Sequence, residues 1–123
     1  MTPEETTSLE AAFSRDGAPS VIEVLLRNRS TGEGEAPDRV ASVMRLLEEL
    51  AEHKRDTACC LMLSLYPVAS EVMMHDVCDA IGLWIAHNRS AAVLAEITRL
   101  TESETDPDLK RYYEGLLKIE QKP

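Results

Sequence analysis

The chain has 123 residues, of which 44% are hydrophobic, 28% charged and only 4% aromatic. This composition excludes a disordered chain, and an aliphatic core favours packed helices over a β-sandwich or barrel. The formal net charge of -9 opposes binding to nucleic acid or to an anionic membrane and favours a basic protein partner. We therefore expect a single helical domain over residues 1–123.

The three cysteines, Cys59, Cys60 and Cys78, make a poor disulfide framework, because their number is odd and two of them are adjacent. Reduced, buried thiols suit a cytoplasmic protein. The opening MTPEETTSLEAAF lacks the apolar core of a signal peptide, and no run of 18 apolar residues indicates a membrane span. The segment TGEGE lacks the spacing of a phosphate-binding loop. The sequence predicts no cofactor.

The first two helices have recognisable starts. Thr2 followed by Pro3 predicts the beginning of a first helix, which should end near Asp16-Gly17. Ser20 is the predicted N-cap of a second helix. The segment NRSTGEGEAP, residues 28–37, is rich in turn-forming residues and predicts an exposed loop.

The middle of the chain holds the most apolar segment. An amphipathic third helix is predicted over about 38–53, and Asp56 is the predicted N-cap of a fourth. Within that fourth helix, TACCLMLSLY is apolar on every side. We expect it at the centre of the domain, or alternatively buried by a second subunit. Pro67 should end this helix or start the next.

Three more helices complete the prediction. The fifth covers about 68–87, the sixth follows Ser90, and the last opens at Asp106-Pro107. No segment shows the sustained alternation of a β-strand. The predicted fold is all-α, a compact array of about six to seven helices.

The stretch MMHDVCD, residues 73–79, carries the candidate site. On a helical wheel, the polar residues of the predicted fifth helix form one stripe opposite Trp84: Glu71, His75, Asp76 and Asp79. No Lys or Arg lies between Arg55 and Arg89. Neutralisation by a cation from another helix is the more ordinary outcome. The alternative is an acidic surface, formed by these four residues, that docks a basic partner.

A metal-dependent function is a second hypothesis. The order His53, His75-Asp76 and Asp106 or Asp108 resembles the His…His-Asp…Asp pattern of HD-domain phosphohydrolases. The resemblance implies metal-assisted hydrolysis with His53, His75 and Asp76 in the site. The two later aspartates have a sufficient alternative role at the positive end of the last helix. The main prediction therefore includes no metal and no catalytic residue.

The C-terminal half resembles a helical repeat. DPDLKRYYEGLLKI, residues 106–119, resembles the second helix of a HEAT repeat, and HDVCDAIGLWI, residues 75–85, is similar to it. The resemblance implies a short α-solenoid that serves as a binding scaffold. We accordingly predict a non-catalytic protein-binding module, one version of which is an immunity- or inhibitor-type protein. A self-associating structural module, hence a homo-oligomer, is the remaining alternative.

Overall fold

The computed structural model describes residues 2–28 and 36–118. Over these ranges the chain forms seven α-helices and no β-strand, which confirms the all-α prediction. The helices are α1 (Pro3–Asp16), α2 (Ala18–Asn28), α3 (Ala36–Ala51), α4 (Arg55–Glu71), α5 (His75–His87), α6 (Ala91–Ser103) and α7 (Pro107–Leu117). Residues 29–35 of the predicted loop lie outside the described residues.

The start of α1 follows the prediction, whereas that of α2 does not. The Thr2 side chain accepts a hydrogen bond from the Glu5 amide at 3.1 Å and caps α1. Gly17 ends α1 with a φ of 86°, and its carbonyl accepts from the Val21 amide at 3.2 Å. The second helix therefore begins at Ala18, and the prediction of Ser20 as its N-cap is wrong. Gly17 permits this immediate restart because it adopts a positive φ without steric cost.

The third and fourth helices are each displaced slightly from their predicted starts. Helix α3 covers Ala36–Ala51 instead of 38–53. Lys54, and not Asp56, is the N-cap of α4, and its carbonyl accepts from the Ala58 amide at 3.0 Å. Asp56 instead lies in the first turn of α4, where a carboxylate is favoured by the positive end of the helix.

Pro67 does not end the fourth helix. Helix α4 continues through it to Glu71, so the predicted fifth helix over 68–87 is also wrong. A proline inside a helix costs about 3 kcal/mol, because it removes one backbone hydrogen bond. Leu65 and Ala69, on either side of Pro67, are completely buried. We attribute the continuation of the helix to the burial of these flanking side chains.

The break between α4 and α5 lies further along the chain. The Met74 amide donates to the Ala69 carbonyl at 2.9 Å, and the Met73 amide donates to the Ser70 carbonyl at 3.1 Å. Met73 has a φ of 59°. This pair of bonds around a left-handed residue is a Schellman motif, which satisfies the last carbonyls of a helix. It ends α4 and lets α5 begin at His75.

Helix α4 lies at the centre of the fold, as predicted. It packs against α1, α2, α3, α5 and α6. Its side chains from Ala58 to Leu63 are all buried within this chain. Burial of this helix by a second subunit is therefore wrong. No helix in the described ranges is long and apolar enough to cross a membrane, and the resemblance to HEAT repeats stays a prediction.

Candidate functional site

The predicted acidic stripe is divided between two helices. Glu71 is the last residue of α4, whereas His75 is the first residue of α5. The left-handed Met73 between them changes the direction of the chain. The wheel that placed Glu71 on one helix face with His75 and Asp79 is therefore wrong, because it assumed an uninterrupted helix.

Glu71 instead faces the beginning of α7. It lines a groove of about 370 Å³ together with Asp106 and Asp108. Asp106 already has a structural role, because its Oδ1 accepts from the amides of Asp108 at 2.9 Å and Leu109 at 3.4 Å. This confirms the alternative role of these aspartates at the positive end of the last helix.

The first two turns of α5 carry the rest of the predicted site. His75, Asp76 and Asp79 are all exposed. Among the residues that the structure describes, neither these three side chains nor Glu71 forms an ion pair or a side-chain hydrogen bond. The more ordinary expectation, neutralisation by a cation from another helix, is therefore wrong for this part of the chain.

The nearest cations along the chain have other positions. Arg89 donates to the carbonyls of Leu116 at 2.7 Å and Leu117 at 3.3 Å. It thereby occupies the negative end of α7 and is held away from the acids of α5. Arg55 lies at the other end of the α4–α5 pair, near His87. The surface around α5 is consequently acidic at the beginning of the helix and carries the guanidinium of Arg55, from α4, at its end.

An apolar groove accompanies the cationic end. It has a volume of about 360 Å³ and is lined by residues of α4, α5 and the segment after α5: Arg55, Ala80, Leu83, Trp84, His87 and Asn88. Leu83 is 62% exposed, which is unusual for so large an apolar side chain on a helix. Trp84 is half-buried, and its backbone carbonyl accepts from the Asn88 side-chain Nδ2 at 2.7 Å.

Two stacked tyrosines, Tyr66 and Tyr112, lie close to Cys78 and Asp79 of α5. The rings of Tyr66 in α4 and Tyr112 in α7 stack with their centroids 3.7 Å apart. Burial, followed by the nearby Cys78 and Asp79, raises the pKa of the Tyr66 hydroxyl. Burial, followed by the neighbouring Tyr66, Cys78, Tyr113 and Asp79, also raises the pKa of the Tyr112 hydroxyl. Asp79, which is exposed, therefore lies close to an aromatic contact between α4 and α7.

The residues of the metal hypothesis are not brought together. His53 lies in the turn after α3 and lines a small pocket with Pro3, Thr6, Thr7 and Lys54. His75 and Asp76 begin α5. Within residues 2–28 and 36–118, no three His, Cys, Asp or Glu side chains converge in a way that could hold a metal ion.

Two of the three cysteine thiols are buried as the sequence predicted, and the third is not fully buried. Cys59 and Cys60 are buried in α4, and Cys78 is half-buried in α5. Burial raises the pKa of Cys59 to about 11 and that of Cys60 to about 12. Thiols with such pKa values carry almost no thiolate at neutral pH, so they are poor nucleophiles.

Comparison of this chain with protein-family models, curated proteins and solved structures found no match. The candidate site therefore depends on geometry alone.

Sequence reasoning missed the apolar half of this surface. On the α5 wheel, Leu83 falls within about 40° of both Asp76 and Asp79. The sequence signal for the apolar half of the surface was therefore Leu83, an aliphatic side chain within the polar stripe. Arg55 could not be linked to it from the sequence, since 28 positions separate the two and only the packing of α4 on α5 joins them.

Proposed function

We propose that this protein is a non-catalytic protein-binding module and that its docking surface is the exposed face of α5. The single observation that supports the proposal most is that Asp76 and Asp79 are exposed and have no ion-pair partner among the described residues. His75, the exposed first residue of the same helix, lies beside these acids, whereas Glu71 at the end of α4 faces the beginning of α7 and is outside the proposed surface.

The negative charge of this surface favours a basic protein as the partner. Unpaired carboxylates orient and accelerate the approach of a basic surface, and they disfavour acidic competitors. The exposed Leu83 next to the acids supplies apolar area that charge alone cannot provide. The proposed partner is therefore a basic protein with an apolar residue beside its cations.

An inhibitor- or immunity-type role is one concrete version of this function. A small protein of net charge -9 is suited to cover the basic substrate-binding surface of a nuclease or toxin. Free thiols at Cys59, Cys60 and Cys78 fit a reducing compartment, so we place the function in the cytoplasm.

Capture of partners by matched variants tests the proposal. Wild-type protein, Asp76→Lys/Asp79→Lys and Glu48→Lys/Glu52→Lys are immobilised and exposed to the same lysate. Glu48 and Glu52 are exposed residues in α3 and the turn after it, so the second variant makes an identical change in net charge elsewhere. Each retained protein is then purified, and its affinity for all three forms is measured by titration calorimetry.

The expected result is a basic protein that binds wild type and the α3 variant, with affinity at least tenfold lower for the α5 variant. Reversal of two charges at the centre of an interface commonly costs several kcal/mol, and 1.4 kcal/mol is a factor of ten. Equal loss in both variants would show a non-specific effect of net charge. Equal binding to all three would show that α5 is not the docking surface.

A further inference from the structure

The exposed face of α5 is complementary to itself. Its acids, Asp76 and Asp79, lie in the first half of the helix, and His87 is at its end, beside Arg55. Leu83 lies between the two charges and is largely exposed. A face with negative charge at one end, an apolar centre and positive charge at the other fits a reversed copy of itself.

The spacing along α5 supports this match. Asp76, Asp79, Leu83 and His87 fall within a stripe about 80° wide on the helix, and Ala80 lies at its edge. When two copies of α5 run antiparallel about a twofold axis, each contact occurs twice. The register that places Asp76 opposite His87 of the second copy also places Ala80 opposite Leu83 of the second copy.

The groove provides a place for the central side chain. It has a volume of about 360 Å³, and Ala80 and Trp84 form part of its wall. In the antiparallel register, Leu83 of each copy meets Ala80 of the other, at the groove that Trp84 lines. The small Ala80 side chain permits a close approach, and the half-buried Trp84 ring gains apolar contact.

Among the described residues, the Arg55 guanidinium at the groove has no internal partner that would compete. Arg55 forms no ion pair among the described residues, and neither does His87. Asp76 and His87 are about 16 Å apart along the helix axis, so one copy cannot pair them internally. A second copy that runs antiparallel places its Arg55 and His87 opposite Asp76 of the first.

We propose that this protein forms a twofold-symmetric homodimer in which the α5 helices pack antiparallel, with Leu83 of each copy in the groove beside Trp84 of the other. Asp76 of each copy pairs with Arg55 and His87 of the second. This dimer would occlude the acids of the proposed docking surface, so a basic partner and the second copy would exclude one another. The dimer itself does not depend on the existence of that partner.

A pair of charge variants tests the register. In the Asp76→Arg variant, the new arginine at position 76 would face Arg55 of a second copy of the same variant. In the Arg55→Asp variant, the new aspartate at position 55 would face Asp76 of a second copy of the same variant. When the two variants are mixed, a mixed dimer has two Arg–Asp contacts. The two introduced residues face one another, and the unchanged Arg55 of one chain faces the unchanged Asp76 of the other. Sedimentation equilibrium in about 0.15 M salt, where the screening length of about 8 Å weakens repulsion between the two acidic copies, reports the masses.

The expected outcome is twice the 13.7 kDa monomer mass for wild type, monomer for each variant alone, and dimer for the equimolar mixture. A monomeric wild type at about 0.5 mM would overturn the proposal. Dimers of either variant alone, or a mixture that stays monomeric, would overturn it as well.

A second pair of variants tests the apolar centre. Leu83→Ser should raise the dimer dissociation constant at least tenfold, because the buried anchor of a small interface carries a large share of its affinity. Val24→Ser is the control, since Val24 is also an exposed aliphatic residue, at 46%, but lies on α2. An equal effect of both variants would contradict the proposed interface. Because these tests use purified protein alone, their failure is distinguishable from failure to find a basic partner.

Discussion

Tyr66 and Tyr112 stack face to face, with their ring planes only 3° from parallel. This contact joins the central helix α4 to the last helix α7, close to Asp79 of α5. The Tyr112 hydroxyl is buried and has no hydrogen-bond partner among the residues that the structure describes. The stack thus combines burial of apolar ring surface with the cost of one unsatisfied polar group.

Removal of that hydroxyl should stabilise the protein. We expect Tyr112→Phe to raise the free energy of unfolding by about 0.5–1.5 kcal/mol, because the ring contact remains and the buried unpaired group is removed. Tyr112→Leu is the control and should lower the same free energy by about 1–2 kcal/mol through loss of the stack. Urea denaturation of the three proteins measures both effects. A destabilised Phe variant would mean that the hydroxyl has a partner.

The left-handed residue between α4 and α5 offers a second gain in stability. Met73 has a φ of 59° and is 72% exposed, so its side chain contributes little burial. A non-glycine residue in this conformation costs about 1–2 kcal/mol. Substitution by glycine removes this cost, but the greater backbone entropy of glycine in the unfolded chain offsets part of the gain. Met73→Gly should therefore stabilise the protein by roughly 0.5–1 kcal/mol.

Thermal unfolding measures the effect of Met73→Gly as an increase in melting temperature of about 2–5 °C. Met73→Ala is the control, because alanine keeps the strain of the left-handed conformation. Its melting temperature should stay at or below that of wild type. If glycine and alanine raised it equally, backbone strain at this position could not be the cause.

Substitutions at Asp106 distinguish a role as a helix cap from a role as a metal ligand. Its Oδ1 accepts two backbone amide hydrogen bonds at the start of α7. Asn keeps this acceptor whereas Ala removes it, so we expect Asp106→Ala to cost about 1 kcal/mol and Asp106→Asn less than about 0.5 kcal/mol. Chemical denaturation provides the comparison. Equal losses for both variants would show that the charge, and not the cap, is what matters.

Stability should fall in alkaline solution because of the buried thiols. The pKa values of Cys59 and Cys60 are raised by burial to about 11 and about 12. The unfolded chain releases these protons near pH 9, whereas the folded chain retains them. This contribution to stability is therefore complete below about pH 9 and is lost as the pH rises toward the folded values.

Between those limits, each thiol lowers the free energy of unfolding by at most about 1.4 kcal/mol per pH unit. Denaturant titrations at about pH 8, 9 and 10 measure the slope. The Cys59→Ala/Cys60→Ala variant should show a clearly shallower fall over the same range. An identical slope in both proteins would assign the loss to other groups.

The elements that could be predicted from sequence are those whose causes are local. The Thr2 and Asp106 caps depend on residues within a few positions, and the all-round apolar segment after Asp56 had to be central. The break near Pro67 was predicted wrongly because proline is a strong local signal that flanking burial at Leu65 and Ala69 overrides.

The error at Pro67 altered the predicted site as well. A Schellman motif without glycine, at Met73, has no clear sequence signal, so Glu71 was assigned to the wrong helix. The acids of α5 itself were identified, because the period of the helix places Asp76 and Asp79 on one side. The groove beside Trp84 was missed, since Arg55 reaches it only through the packing of α4 against α5.

The fluorescence of Trp84, the single tryptophan of the chain, tests the central claim most directly. Trp84 is half-buried and lines the groove on the proposed docking face, so its emission reports whether that face is covered. At a protein concentration at which sedimentation shows the chain to be monomeric, so that no second copy covers Trp84, we predict a shift of the emission to shorter wavelength when a captured basic protein that lacks tryptophan is added, and no shift with Asp76→Lys/Asp79→Lys. Tight binding with an unchanged Trp84 spectrum would contradict the assignment of α5 as the docking surface.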